Sequence, residues 1–226
     1  EEQATVFIEE MQKIDPHGPY TIGGYSVGGM VALEMALQLQ RKGFEVSKLV
    51  IFDAMPMAEN NESVPKDSLG AYLYEILDVL NDEFGADIRV EDTDLIHKPK
   101  ETQLQFLYES IKKSDMSISE SELKGLIEVS VANDTCVYLP KIDSELSADV
   151  ILFRTKEVTL SEQQKLKSTL YTQKDYGWQK LTNRTVKVHE IPGIHETVLQ
   201  SPNVEYIEDA LKKFLSIKDS NKEVLA

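Results

Sequence analysis

The chain has a single cysteine, Cys136, among its 226 residues. An internal disulfide is therefore excluded, which fits a reducing, cytoplasmic setting. The pattern from Val131 to Leu139 predicts a helix in which Cys136 packs rather than reacts. No apolar run is long enough to span a bilayer, so a membrane is not an expected partner. The opening Glu1-Glu2-Gln3 is not a basic-then-apolar leader. Basic residues are scarce: 24 Lys and Arg stand against 39 Asp and Glu, a formal net charge of −15. Phosphate backbones are bound by basic faces, so nucleic acid is not an expected partner either. The charge reads as solubility. Internal repeats and low-complexity tracts are missing. Present instead is 41% hydrophobic content, enough for a real core in one large domain or a domain with an insertion.

The most informative stretch is Gly23-Gly24-Tyr25-Ser26-Val27-Gly28-Gly29. Tyr20 and Ile22 precede it, and a long apolar run from Met30 to Leu39 follows. This reads as strand, sharp turn and helix, with Ser26 at the turn. A G-x-S-x-G in that setting is a nucleophile elbow. The turn forces Ser26 into a strained conformation, and side chains at Gly24 and Gly28 are expected to collide with neighbouring backbone. The hydroxyl is raised above the sheet edge, at a helix N-terminus that favours negative charge. A phosphate-binding loop fits poorly, because neither Gly-Lys-Ser/Thr nor G-x-G-x-x-G is present.

Taken in order, Gln3 to Ile14 predicts a helix, ended by Asp15-Pro16-His17-Gly18-Pro19. Tyr20 to Tyr25 is the strand into the elbow. The helix after Ser26 runs to about Lys42 and stops at Gly43. It is apolar around most of its circumference, with Glu34, Gln38 and Arg41 on one narrow stripe. Lys48 to Phe52 reads as a buried parallel strand that exits into Asp53. Strand, helix and strand form a βαβ unit, so Asp53 falls at the edge that presents Ser26. Between Met57 and Ala148 no strand pattern is found. Amphipathic segments at Leu69–Leu80, Glu101–Lys113 and Ser119–Tyr138 predict helices, the last opened by a Ser119/Glu122 capping box. Residues 58–147 are read as a helical lid inserted into a core of 1–57 and 148–226, with a separate helical domain as the alternative. Asp149 to Arg154 is the next strand, Leu160 to Tyr171 a helix, and Asp175 to Trp178 a loop. Thr185 to Ile191 is a strand with one wetter face. Ser201 and Pro202 open a helix with Val204, Ile207, Leu211 and Phe214 on one face. A polar tail closes the chain.

Four histidines could act as base for Ser26. His17 lies in a turn, His97 among charged residues before Pro99, and His189 inside a strand. His195 lies in a loop leaving the C-terminal end of a strand, after Gly193, and is the choice. Two carboxylates could orient it. Asp53 ends the strand after the elbow helix and is preferred, with Glu157, just past the next strand, as alternative. Nucleophile, acid and histidine in that order match the α/β-hydrolase pattern.

These residues resemble a known family. Gly18 to Gly29, Val31 to Ala36, Leu49 to Asp53, Trp178 and Val188 to Glu196 are similar to the type I thioesterase domains that end polyketide synthases and nonribosomal peptide synthetases. Animal fatty acid synthase thioesterases are similar too. The resemblance implies an α/β-hydrolase fold with a mainly parallel sheet and a helical lid, the acid at Asp53, and a single thioesterase domain over 1–226. It implies a substrate held as an acyl thioester on the phosphopantetheine of an acyl or peptidyl carrier protein of the same megasynthase. The acyl chain would move to Ser26 and leave by attack of water, or of an internal hydroxyl or amine. No cofactor of the domain's own is implied. The amide of Val27 is one assignable oxyanion donor. The early strands of the family, one of which precedes a loop with a second donor, are not visible in this sequence. A free-standing editing thioesterase, a serine esterase and a non-catalytic incomplete module are the competing expectations.

Overall fold

A computed structural model describes residues 1–56, 73, 76–77, 80–81, 87–90, 95–114, 118–135, 138–141, 145–157 and 172–216. The expected helix Leu160 to Tyr171, most of the expected helix Leu69–Leu80, Cys136 and the tail from 217 lie outside the described residues. The chain forms two compact units, Glu1–Ala58 with Tyr138–Ala226, and Glu59–Val137.

In the first unit, α1 (Glu2–Ile14), β1 (Tyr20–Tyr25), α2 (Val27–Arg41) and β2 (Val46–Phe52) follow one another as expected. β3 (Asp149–Thr155) and β4 (Lys187–Ile191) complete a four-stranded sheet in the order β1-β2-β3-β4. Every pairing is parallel, so the C-terminal ends of all four strands share one edge. Among the described residues, β1 and β4 are the outer strands.

The apolar runs explain why both faces are covered. Leu49, Ile51, Val150 and Leu152 pack in one cluster with Ala4 and Ile8 of α1 and with Ala32, Leu33, Ala36 and Leu39 of α2. Their neighbours Val50, Ile151 and Phe153 pack in another, with Ile207 and Phe214 of a closing helix, Asn203–Ser216. Successive side chains point to opposite faces, so a run without polar alternation fills two cores at once. That closing helix begins directly after Ser201 and Pro202, and its first residue, Asn203, is buried and donates Nδ2 to the Thr197 carbonyl at 2.9 Å.

Within the polar stripe of α2, Arg41 is exposed and Glu34 is buried. Glu34 accepts from Gln38, Arg41 and the Tyr138 hydroxyl, at 2.9, 3.1 and 2.7 Å. Burial and the adjacent Glu34 carboxylate push the Tyr138 phenol well above its ordinary range.

In the second unit, helices Lys100–Lys113 and Glu120–Thr135 pack Leu107, Ile111, Leu123 and Ile127 into their own core with Leu73, Ile76, Leu77 and Leu80. The Ser119/Glu122 capping box is made: the Ser119 N–H donates to Glu122 at 2.8 Å, and the Glu122 N–H to Ser119 Oγ at 3.3 Å. No helix among the described residues is long and apolar enough to cross a membrane.

Candidate active site

Ser26 stands between β1 and α2 with φ 54° and ψ −128°, outside the ordinary regions for an L-residue. Its N–H donates to the Phe52 carbonyl at 3.1 Å, and its own carbonyl accepts from the Gly29 N–H at 2.9 Å. The turn is therefore tied to β2 on one side and to its own helix on the other. A Cβ at Gly24 would lie 2.0 Å from the Gly28 carbonyl oxygen, so glycine is required there. The expectation for Gly28 is corrected, since a Cβ there meets nothing within 4 Å. The second tight position is Gly29, where a Cβ would come 2.5 Å from the Ala54 side chain. Val27 opens α2, so its N–H lies in the first turn, where the helix supplies no acceptor.

Asp53 leaves β2 at the same edge with φ 47°. Its N–H donates to the Phe153 carbonyl at 2.7 Å, and Trp178 Nε1 donates to the carbonyl of Ala54 at 2.7 Å. These contacts, with the close approach of Gly29, hold the exit in its unusual conformation. The carboxylate is buried and fully engaged. Oδ2 faces His195 Nδ1 at 2.9 Å and accepts from Thr155 Oγ1 at 2.9 Å. Oδ1 accepts from the Thr155 N–H at 2.8 Å and the Tyr176 hydroxyl at 3.1 Å. Burial alone would raise its pKa, but the hydrogen bonds from His195 and Thr155 and the charge of His195 outweigh it. The net result is a carboxyl held below its ordinary value.

His195 starts a 3₁₀ turn, His195–Thr197, after β4. Gly193 makes that turn possible: its φ is +86°, and a Cβ there would lie 2.6 Å from Thr197 Oγ1. The imidazole is about one-fifth exposed, at 22%. Its Nδ1 faces an ionised carboxylate, so Nδ1 carries the proton and Nε2 is the basic nitrogen. Tyr25 braces the residue twice, by a ring stack at 4.8 Å between centroids and by donating its hydroxyl to the His195 carbonyl at 3.1 Å.

Of the residues chosen from sequence, Asp53 and His195 are thus in direct contact. Ser26 is at the same edge, one residue from the ring stacked on His195, and its hydroxyl makes no hydrogen bond to the imidazole. Glu157 does not reach the imidazole through a hydrogen bond. Its carboxylate accepts from the Gly193 N–H at 3.3 Å, and its own N–H donates to the Gly193 carbonyl at 3.1 Å, so it ties the end of β3 to the histidine loop. His17 and His97 are exposed, and His189 sits on the sheet against Phe153. Thr155, Tyr176 and the bracing role of Tyr25 were not anticipated. Only Thr155 carried a signal, as the residue that follows Arg154, where the expected strand ends at the chosen edge; in the structure it is the last residue of β3.

A family model described as "Thioesterase domain" matches residues 1–215. The chain belongs to the thioesterase domain family. Polyketide synthase PksR of Bacillus subtilis (strain 168) is 35% identical over 108 residues, 42% of this chain and 4% of that protein. The chain spans only about 4–5% of the length of the first curated relatives it matches. Among solved structures, a holo four-domain nonribosomal peptide synthetase bound to AMP and glycine superposes with a TM-score of 0.71 at 24% identity, over 96% of this chain and 16% of that one. The thioesterase domain SrfTE, solved to explain cyclisation of the lipopeptide antibiotic surfactin, gives 0.55 at 18% identity, over 97% and 76%. At these identities the structural likeness speaks for the fold: this thioesterase domain has the α/β-hydrolase architecture, with a parallel sheet and flanking helices.

Proposed function

We propose that this thioesterase domain releases an acyl chain from the phosphopantetheine thioester of a carrier protein, with Ser26 as nucleophile, His195 as base and Asp53 as its orienting acid. The observation that carries the reading is the contact of Asp53 with His195 Nδ1 at the strand edge where the strained Ser26 stands. Membership of the family, and relatives within polyketide and nonribosomal peptide synthetases, support the choice of substrate and of a carrier-protein partner.

In the first step Ser26 Oγ attacks the thioester carbonyl carbon and its proton passes to His195 Nε2. The oxyanion that forms lies against the Val27 N–H, and Asp53 balances the imidazolium. Collapse breaks the carbon–sulfur bond, and the Nε2 proton goes to the departing pantetheine sulfur. Water, or a hydroxyl or amine of the acyl chain, then gives its proton to Nε2 and attacks the ester carbonyl. The proton returns to Ser26 as the acid, lactone or lactam leaves.

Turnover of an acyl-pantetheine thioester, compared with an oxygen ester of the same acyl group, tests this. Faster release of the thioester supports the assignment. Preference for the oxygen ester makes the domain a general esterase, and no turnover of either removes the catalytic reading.

A further inference from the structure

Tyr176 lies outside the three residues assigned to the reaction, yet it is among the most deeply buried side chains and its hydroxyl ends on Asp53. It is 2% exposed, and the hydroxyl donates to Asp53 Oδ1 at 3.1 Å. Its backbone has φ 51°, an unfavourable conformation for an aromatic residue. The rest of the structure must hold it there.

Arg154, next to Thr155 at the end of β3, accounts for much of that restraint. Its guanidinium sits over the Tyr176 ring, 4.3 Å from the centroid. The same group donates to the carbonyls of Gln173 and Lys174 at 2.9 and 3.0 Å, fixing the segment from which Tyr176 projects. The Tyr176 N–H closes the turn on the Gln173 carbonyl at 3.1 Å. A cation over the ring face also draws electron density from the phenol and makes its O–H a better donor.

We infer that Tyr176 is a positioning residue, which with Arg154 locks the Asp53 carboxylate against rotation so that Oδ2 stays on His195 Nδ1 throughout the reaction. The torsion of a carboxylate about its last bond is soft. Thr155 touches both oxygens, but from one strand only. Tyr176 reaches Oδ1 from a different segment, and a group held from two elements cannot swing as the imidazole gains and loses its charge. This rests on the proposed role of Asp53 and His195.

The test is Tyr176→Phe in the full chain, which keeps the ring and removes the hydroxyl. Two readouts are used: the rate of Ser26 modification by a fluorophosphonate, split into its maximal rate and half-saturating concentration, and the proton NMR resonance of His195 Nδ1–H. The maximal rate is expected to fall about tenfold, the effect of one hydrogen bond to a charged group. The half-saturating concentration stays unchanged and the resonance moves. A purely structural role would lower melting temperature and leave both readouts where they are, and that result overturns the inference. If the wild-type chain is not modified at all, the catalytic reading fails and the resonance alone decides: moved, the positioning role stands; unmoved, it falls. Should Tyr176→Phe not fold, Arg154→Met decides by the same readouts.

Discussion

The imidazole of His195 is stacked on the ring of Tyr25, with centroids 4.8 Å apart and planes 25° from parallel. Tyr25 is the residue before Ser26, so one side chain links the loop after β4 to the turn after β1. The ring restrains the imidazole from its face while Asp53 restrains it at Nδ1. Tyr25→Leu is expected to slow fluorophosphonate modification of Ser26 by about two- to tenfold, the range of one aromatic pair. Tyr25→Phe, which keeps the stack and loses the hydroxyl bond to the His195 carbonyl, is expected to cost less. Equal losses in the two variants would show that the ring contact has no part.

Asp53→Asn replaces a charge by a neutral amide of the same shape. The amide can present an N–H to Nδ1 and favour the wrong tautomer. Thioester turnover should fall by about 10³–10⁴, while Glu157→Gln should change it by less than about tenfold, since Glu157 acts on the backbone of Gly193. The reverse ranking would move the acid to Glu157.

The same carboxyl gives a stability prediction. The Asp53 pKa is lower in the folded chain than its ordinary 3.8. Above 3.8 it is ionised in both states and its stabilisation is fully present. As pH falls through 3.8 and on through the lower folded value, the unfolded chain takes up the proton first and that stabilisation is lost. Denaturant titrations from pH 6 downward should therefore show the difference between wild type and Asp53→Asn shrinking with acid. A difference that grows with acid would contradict the assignment.

Glycine requirements at the elbow separate cleanly. Gly24→Ala puts a methyl group 2.0 Å from the Gly28 carbonyl oxygen, and should lower stability by about 3 kcal/mol or more, or prevent folding. Gly28→Ala meets open space and should stay within about 0.5 kcal/mol of wild type. Denaturation midpoints check both.

These glycines also mark where sequence reading stops. The strand, turn and helix around Ser26 were legible because hydrophobic pattern and turn chemistry are local. The position of His195 at the strand edge was legible because its loop leaves a recognisable strand. That Gly29 is squeezed as well depends on where Ala54 lies, and that is a tertiary fact. The grip on Asp53 is similar: Thr155 and Tyr176 are 102 and 123 residues away in sequence, and nothing in spacing or periodicity joins them. The pattern of α2 places Glu34 on its polar stripe but does not reveal the Tyr138 hydroxyl that bonds it there. Glu157 and Asp53 were both admissible acids, since each follows a strand at the right edge. Only the path of the His195 loop separates the carboxylate that meets Nδ1 from the one that meets the Gly193 amide.

The central claim is that Ser26 is the nucleophile. Treating the full chain with an acyl-pantetheine thioester or a fluorophosphonate and mapping the adduct by mass spectrometry tests it most directly. The account predicts one added group, located on Ser26 and lost in Ser26→Ala. A group that maps elsewhere, or that persists in Ser26→Ala, contradicts it.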